Sequence, residues 1–513
     1  MLESTHSIDS TAVNEHNKHI IRPPTFTSKA IKNYLITRFT SLWVGTEELK
    51  KYTWYEVLNP FHPLLELNLH QWNFFFMGFW CWTLDALDFF ITSLNVTAIS
   101  ESLNKSTKDV TWGITLVLML RTVGAIIFGL IGDTYGRKWP YIINLILLCV
   151  LQIGTGFVKT YKEFLAVRAL FGLAMGGVVG ICSQEALSDS PPKARGVLSG
   201  IFQQGYAFGY LLAVVFQRAF ERTTKVWQNM FFFSAGVSVI FIIWRLINPE
   251  TESFQRQRER ALKNAKSKKS QLAELKSSAS KALKNYWLII IYLVVLMSGF
   301  NFSSHGSQDL YPTMLTKQYK FSDDKATVVN VCANLGAMTG GIVLAHLSNF
   351  IGRRTAIIIG NIITGAFIYP WAFKPMWITA FMMQFGIQGA WGMVPIHLSE
   401  LSPPQFRAFV VGFAYQLGNL VSSASSTIEA TIEEKLHDYG KTMAIFIGAV
   451  IGFLLLTTLF GPENKGATLG IERDDEYSIF DVEDEDEEEE HRSKLDDKHG
   501  DITLEKPETE HIV

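Results

Sequence analysis

The chain has 513 residues, of which 48% are hydrophobic and 18% are charged, and its net charge is -2. The apolar residues form long blocks separated by short polar segments, which excludes a soluble globular domain and indicates a polytopic membrane protein. The net charge averages unlike regions, because residues 250–285 carry ten Lys or Arg against four acids and the C-terminal tail is strongly acidic. We expect no nucleic-acid partner.

Residues 1–70 are expected to form a cytoplasmic tail. They are mainly polar and contain no apolar core followed by a small-residue cleavage site, so no secretory signal peptide is predicted. Apolar residues between positions 29 and 58 recur along one helical face. That face fits either an amphipathic helix in the membrane interface or a helix packed on the soluble ends of the bundle.

Twelve blocks are long enough to cross a bilayer, so the predicted fold class is an all-α membrane protein with twelve transmembrane helices in two six-helix halves. The first bundle covers 71–247 and the second covers 286–462. They are joined by a basic cytoplasmic linker over 248–285 and followed by an acidic, disordered cytoplasmic tail over 463–513. The predicted spans are 72–95, 110–132, 139–158, 163–185, 196–218, 228–247, 286–311, 326–349, 353–373, 376–400, 406–428 and 442–461. The basic loops fall on one side, which the positive-inside rule makes cytoplasmic, so both termini are expected there.

Two stretches of the second half repeat the first. GLIGDTYGRK (129–138) matches AHLSNFIGRR (345–354). The segments that follow Glu185 and Glu400 also match, because both carry Pro-Pro, two residues, Arg, then Gly and Gln at equal spacings. A duplicated six-span unit predicts a transporter whose halves rock about a site at the bilayer midplane.

GLIGDTYGRK resembles the signature loop of the major facilitator superfamily. Arg168, Gly172 and Gly176 resemble the Arg-and-glycine pattern that this superfamily carries in span four. The Gly-Pro pattern typical of its antiporters is absent from span five, because residues 196–218 contain no proline. The resemblance therefore implies the major facilitator fold and disfavours exchange.

Residues 301–315 resemble the signature of the fungal Jen carboxylate permeases, which are related to sialate:proton symporters. The matching residues are Asn301, Ser304, His305, Ser307, Gln308, Asp309, Tyr311, Pro312 and Thr313. The resemblance implies a multi-pass plasma-membrane symporter that imports a short mono- or dicarboxylate, such as lactate, pyruvate, succinate or malate, together with a proton. Its ligands would be that carboxylate, the proton and membrane lipid, with no metal and no other cofactor.

On a helix, Asn301, His305 and Asp309 fall at i, i+4 and i+8 with Gln308 beside them, so they form a polar stripe. A carboxylate near the bilayer centre costs about 2.5 to 3.5 kcal/mol on insertion scales, so Asp309 should face a cavity or a partner. The functional hypothesis is substrate binding and protonation along the stripe. The alternative is a polar seam that joins neighbouring helices. Pro312 should end or kink the helix.

Arg121 lies midway along span two in an otherwise apolar run. Its guanidinium can bind a substrate carboxylate through two hydrogen bonds. The alternative is a structural ion pair with an internal acid, which could be Asp85, Asp88 or Asp309. Both interpretations hold together if the ion pair opens to admit substrate.

Asp85 and Asp88 in span one are three residues apart and share a helical face. Close carboxylates and desolvation both raise affinity for protons, so one of them can be a proton site, although the sequence does not decide which one reaches the cavity. His305 is another candidate, because histidine changes charge between about pH 5 and 8. Asp309, one turn away, can share its proton. We therefore assign proton coupling to these four residues.

Gln203 and Gln204 in span five, and Gln416 and Asn419 in span eleven, occupy comparable positions in the two halves and can donate hydrogen bonds to carboxylate oxygens. The two adjacent glutamines would tolerate a second carboxylate, which slightly favours dicarboxylates. Charged residues at the predicted cytoplasmic helix ends are assigned to gating: Asp133, Arg137, Glu185, Arg195, Arg353, Glu400 and Arg407.

Two alternatives to a symporter remain open from the sequence, a facilitated sugar or polyol carrier and a non-transporting nutrient sensor. An enzyme is not predicted, because the sequence has no visible nucleophile-base arrangement, metal-ligand spacing or phosphate loop. Lys494, Lys498 and Lys506 in the acidic tail are candidate acceptors for ubiquitin ligase machinery.

Overall fold

The computed structural model describes residues 26–40, 42, 53–220, 222–223, 225–264, 268–403 and 405–467, and every regular element in these ranges is helical. The first half contains α1 Ser28–Thr40, α2 Trp54–Leu58, a 3-10 turn His62–Glu66, α3 Leu69–Leu94, α4 Val96–Ser102, α5 Thr107–Tyr135, α6 Lys138–Phe157, α7 Tyr161–Gly176, α8 Val178–Leu187, α9 Arg195–Phe220 and α10 Val226–Ile247. The second half contains α11 Glu252–Asn264, α12 Lys268–Gln308, α13 Tyr311–Thr313 with a π turn Met314–Gln318, α14 Asp323–Ile351, α15 Arg353–Phe373, α16 Trp377–Trp391, α17 Val394–Leu401, α18 Arg407–Ser422, α19 Ser425–Leu436 and α20 Tyr439–Phe460.

Ten helical stretches in the described residues are long and apolar enough to span a bilayer, and they coincide with ten of the predicted spans. The spans predicted at 376–400 and 406–428 are each divided between two consecutive helices, α16 with α17 and α18 with α19. The break in the first lies at Gly392 and Met393, and the break in the second at Ser423 and Ala424. The all-α fold class with two six-span halves is confirmed.

Several spans begin with a reciprocal side-chain cap, which fixes the N-terminus of the helix next to a polar loop. In each, the N-cap side chain accepts from the backbone N–H three residues on, and the side chain of that residue accepts from the N-cap backbone N–H. These caps are Asn68 with Gln71 on α3, Ser106 with Asp109 on α5, and Thr160 with Glu163 on α7.

The seventh span differs from its predicted bounds of 286–311 at both ends. α12 begins at Lys268, inside the predicted linker, because this stretch is rich in Lys, Ala, Leu and Glu, which are strong helix formers. It ends at Gln308 because the ring of Pro312 would clash with the carbonyl of the residue four positions earlier. Asp309 therefore lies just beyond the helix.

The described part of the N-terminal segment packs on the end of the last span. Tyr34 Oη donates to the carbonyl oxygen of Phe460 at 2.8 Å, and Arg38 Nη1 donates to that of Gly461 at 3.0 Å. These contacts favour a helix packed on the end of the bundle over one that only lies in the interface.

Several predictions for the two tails lie outside the described residues. They concern residues 1–25, residues 43–52 and the acidic tail from residue 468 onward. The last of these contains Lys494, Lys498 and Lys506.

The internal repeat is visible in backbone geometry. α5 ends at Gly136 with φ 101°, and α14 ends at Gly352 with φ 94°. Both values lie in the region that strongly favours glycine, so each matching loop needs a glycine at this position to turn into the next helix. The same turn recurs where the sequence repeats, as a duplicated unit requires.

The two halves meet closely at one end, called here the basic end because it carries the loops that contain Arg137, Lys193 and Arg353. Asp133 on α5 accepts the backbone N–H groups of Ala408 at 3.0 Å and Phe409 at 2.8 Å. These groups belong to the first turn of α18, where a carboxylate is stabilised by unpaired N–H groups and by the helix dipole. This link closes the space between the halves at the basic end.

Toward the opposite end, called here the open end, polar side chains of α12 are exposed. The side chains of His305 and Asp309 are 43% and 32% accessible. Asp309 lies within electrostatic range of Tyr206 on α9 in the first half. The two halves are therefore linked at the basic end, and polar side chains are accessible at the open end.

Candidate functional site

Arg121 and Asp85 form an ion pair between α5 and α3. Arg121 Nη2 lies 3.2 Å from Asp85 Oδ2, and the two side chains are 2% and 0% exposed. Burying a charged side chain carries a desolvation penalty. Two opposite charges can be buried together when their attraction offsets both penalties. Of the partners predicted for Arg121, the structure selects Asp85. The ring of Phe89 lies 5.9 Å from the guanidinium.

The ion pair faces the second half through aromatic side chains. Tyr415 of α18 and Tyr206 of α9 both interact electrostatically with Arg121 and with Asp85. The ring of Trp82 is 5.4 Å from Tyr206 and 5.7 Å from Tyr415. The ion pair thus lies under a group of rings drawn from both halves, which keeps water away from it.

Sequence reasoning missed these aromatic residues. Tyr206 is one turn from Gln203, and Tyr415 adjoins Gln416, so both stand beside polar positions that the sequence did identify. Their position next to intramembrane amides was the available signal. It is weak, because 13% of the chain is aromatic.

Asp88 points away from this site although it shares a helix with Asp85. Its carboxylate accepts a short hydrogen bond from Ser234 Oγ on α10, and it interacts electrostatically with the buried Arg168 on α7. Arg168 lies 4.1 Å from the ring of Phe171. The arrangement matches the alternative in which Asp88 binds neighbouring helices while Asp85 reaches the centre.

The polar stripe on α12 divides into a buried and an accessible part. Asn301 is 4% exposed, and its Nδ2 donates to the carbonyl oxygen of Met297 in the same helix at 2.9 Å. His305 Nδ1 lies 3.3 Å from Asp309 Oδ2 on the accessible surface. His305 and Asp309 are therefore accessible to water, whereas the amide of Asn301 contacts its own helix.

Part of the same stretch joins α12 to α16 through amide and hydroxyl groups. Gln384 Nε2 donates to Ser307 Oγ at 2.9 Å, and its Oε1 accepts from Gln308 Nε2 at 3.1 Å. Gln388 Nε2 donates to Ser304 Oγ at 3.2 Å. Ser304, Ser307 and Gln308 thus join neighbouring helices, as in the polar seam that was the alternative to a binding stripe.

The predicted amide residues of the two halves come together in part. Gln203 Nε2 donates to the hydroxyl of Tyr415 at 3.4 Å, across the boundary between halves. Gln204 packs against Gly341 of α14. A Cβ at position 341 would collide with Nε2 of Gln204. Asn419 Nδ2 donates to Gln416 Oε1 at 3.2 Å, and Gln416 is fully buried.

Some of the residues predicted to act in gating form ion pairs within each half at the basic end. Arg353 binds Glu400 through two hydrogen bonds of 3.0 Å. The carboxylate of Glu185 pairs at 2.9 Å with Arg245, which was not among the predicted gating residues.

Three other residues at the basic end that were predicted to act in gating bind nearby groups or lie buried. Arg137 donates to Ser188 Oγ and to the carbonyl oxygen of Gln184. Arg195 Nε donates to the carbonyl oxygen of Ser190 at 3.0 Å. Arg407 is buried at the start of α18.

One group of potential metal ligands occurs in the described residues, also at the basic end. Atoms of His397, Glu400 and Glu463 lie within 4.8 Å of one another. Burial raises the pKa of Glu463, which follows the last span. The guanidinium of Arg353 already neutralises Glu400, so a cation would compete with a bidentate ion pair. We assign no metal to this group.

Comparison with known proteins places the chain among transporters. The sequence profile of the family described as "Sugar (and other) transporter" matches residues 64–474. The carboxylic acid transporter protein homolog of Saccharomyces cerevisiae is 38% identical over 491 residues, covering 90% of this chain and 78% of that protein. The sialic acid transporter NanX of Escherichia coli is 24% identical over 421 residues, covering 80% and 97%.

Solved structures share the fold. The proton:xylose symporter XylE of the major facilitator superfamily has a TM-score of 0.59 at 17% identity, covering 78% of this chain and 98% of that one. The human organic anion transporter MFSD10 has a TM-score of 0.57 at 15% identity, covering 77% and 100%. At these identities the likeness concerns the arrangement of helices alone.

Proposed function

Because this chain belongs to the sugar (and other) transporter family of the major facilitator superfamily, we propose that it imports short mono- or dicarboxylates together with protons by alternating access. The name of the 38% identical yeast relative, a carboxylic acid transporter protein homolog, supports a carboxylate as the substrate. Lactate, pyruvate, succinate and malate are the proposed range, and the plasma membrane is the proposed location.

The observation that carries this proposal is the guanidinium of Arg121, buried between the halves and bonded to a carboxylate of the protein itself. Arg121 Nε has no hydrogen-bond partner among the described residues, so the group keeps donor capacity. A planar guanidinium matches a carboxylate with two parallel hydrogen bonds. An incoming carboxylate of similar shape could therefore take the place of Asp85.

Coupling to a proton follows from the burial of Asp85. Both side chains of the ion pair are excluded from water, so an anion that takes Arg121 leaves Asp85 buried without a positive partner. An uncompensated buried carboxylate is strongly unfavourable, and protonation removes the cost. Anion binding at Arg121 and proton uptake by Asp85 then favour each other, which is the requirement for symport.

The accessible residues of α12 would receive the substrate first. His305 and Asp309 face the central space from the open end, and Gln203 and Tyr415 line the way to Arg121. A dicarboxylate could place one carboxylate at Arg121 and the other near the amides of Gln203 and Gln204. This gives the slight preference for dicarboxylates.

Closure at the basic end fits the state that would bind external substrate. Under the positive-inside rule, the ion pairs of Arg353 with Glu400 and of Glu185 with Arg245 would lie at the cytoplasmic surface. They would stabilise this state, and substrate binding would favour their rearrangement.

A sugar or polyol carrier is the second candidate, favoured by the amides and hydroxyls that join α12 to α16. Gln308, Gln384 and Gln388 are uncharged groups suited to ligand hydroxyls. Such a carrier would need no proton.

The test is the external pH of weakly buffered cells that express the protein, on addition of lactate and then succinate. Alkalinisation that exceeds the empty-vector control establishes proton symport, and the acid that produces it identifies the substrate class. The His305→Ala variant is compared in parallel. Labelled uptake with no pH change would contradict proton coupling, and absence of both signals at normal surface expression would contradict carboxylate transport.

A further inference from the structure

Glu429 on α19 is a fully buried carboxylate that none of the preceding steps uses. Its side chain is 0% exposed, and both carboxylate oxygens have no hydrogen-bond partner among the described residues. Ser425, one turn earlier on the same face, is also buried, and its hydroxyl has no partner in that part of the chain. A polar face thus points inward from a helix that follows a break in the eleventh span.

The charged group within electrostatic range of Glu429 is another acid. α19 packs against α12 and α20, and the carboxylate of Glu429 interacts electrostatically with Asp309, just past the end of α12. On α12 itself, His305 is paired with Asp309. At the start of α20, Lys441 is exposed and pairs with Asp438 at 3.7 Å. No basic side chain in the described residues forms an ion pair with Glu429.

Two facing carboxylates cannot both be ionised when one of them is dry. An ionised carboxylate with no hydrogen bond and no counter-charge is very costly to bury, so a group in this position keeps its proton. Asp309 is accessible and paired with His305, whereas Glu429 is neither, so the proton lies on Glu429.

We propose that Glu429 is a second proton-binding site of the transport cycle, facing Asp309 in the second half as Asp85 faces Arg121 in the first. It is loaded in the state described here. When the halves rearrange and water reaches its carboxylate, the O–H bond of Glu429 breaks, the proton passes to water, and Glu429 remains as a carboxylate. The inference rests on the proposed function, because it assumes a symport cycle.

A second proton site would allow a dicarboxylate dianion to be transported without net charge. One proton compensates the displacement of Asp85 from Arg121, which balances one negative charge of the substrate. The proton released from Glu429 balances the other. Electroneutral import of a dianion then needs both sites, one in each half.

The experiment measures protons taken up per labelled succinate in proteoliposomes or cells, for the wild type, Glu429→Gln and Glu434→Gln. Glutamine resembles the protonated acid in shape and charge, so Glu429→Gln should fold and still bind succinate. The ratio should fall from about two to about one, because a glutamine cannot bind the second proton. Glu434→Gln, an exposed residue of the same helix, should keep the wild-type ratio.

An unchanged ratio in Glu429→Gln, or loss of succinate binding in that variant at normal surface expression, would overturn the inference. Infrared difference spectroscopy of the purified protein provides a second readout, because the band of a buried protonated carboxyl group should vanish in Glu429→Gln. Its persistence would also overturn the inference. A wild type that moves succinate without protons would instead refute the proposed function, so the two failures are distinguishable.

Discussion

Two contacts between a basic and an acidic side chain have similar lengths and opposite environments. Arg121 and Asp85 are separated by 3.2 Å and are almost fully buried, whereas His305 and Asp309 are separated by 3.3 Å and are 43% and 32% exposed. A buried charge cannot lose its partner without a large penalty, whereas water replaces the partner of an exposed one at little cost. The first ion pair can therefore link anion binding to protonation, whereas the contact of His305 with Asp309 can give way to water without such a link.

The largest effect is expected when one member of the buried ion pair is removed. Arg121→Ala leaves Asp85 buried without a counter-charge, which should cost about 3 to 5 kcal/mol of stability and abolish uptake. Thermal unfolding of the purified protein measures the first effect and labelled uptake the second. Wild-type uptake by a variant that reaches the surface would contradict the site.

Replacing both members of the buried ion pair separates stability from transport. The double substitution Arg121→Met with Asp85→Leu removes both charges and keeps apolar volume, so stability should return close to the wild-type value or exceed it. Uptake should stay absent, because no cation remains for the substrate. Thermal unfolding and uptake are measured on the same preparations. Recovery of uptake would show that Arg121 is only structural.

Substitution at the accessible contact should affect uptake strongly and stability little. Asp309→Asn should abolish uptake but change the free energy of unfolding by about 1 kcal/mol or less, because exposed ion pairs contribute little. The measurement is uptake beside thermal unfolding, with Glu434→Gln as an exposed control outside the site. A loss of stability as large as that of Arg121→Ala would remove the distinction between the two ion pairs.

The smallest effect is expected from salt. Raising the ionic strength from about 0.01 M to 0.15 M shortens the Debye length from about 30 Å to 8 Å, which screens the exposed ion pair far more than the buried one. If a charged His305 attracts the anion, the apparent affinity for substrate should weaken modestly in the wild type and hardly at all in His305→Ala. Equal salt dependence in both proteins would contradict a role for His305 in attracting the anion.

Much of the fold followed from the sequence because membrane spans depend on composition over long blocks, which local detail seldom overrides. The match between the two Gly-Arg loops is reflected in the structure, where Gly136 and Gly352 follow α5 and α14 and both have positive φ. The site was partly predictable for a similar reason. His305 and Asp309 stand one turn apart on an apolar helix, and that spacing alone brings them together.

Other features depend on contacts between distant segments and could not be read from local pattern. The choice of Asp85 over Asp88 as the partner of Arg121 depends on how α3 is rotated, which sequence spacing leaves open. Arg245 pairs with Glu185 from the end of a different span. Glu429 was missed because the eleventh span was expected to end at residue 428, whereas the helix resumes at Ser425 and continues to Leu436.

The most direct test of the account is proton uptake when succinate binds to the purified protein in weakly buffered solution, measured beside the heat of binding for the wild type and Arg121→Ala. If the substrate displaces Asp85 from Arg121, binding should draw protons from solution in the wild type, and Arg121→Ala should show neither binding nor proton uptake. Binding of succinate by the wild type without any change in pH would contradict the central claim, since Asp85 would then stay paired while the site is occupied.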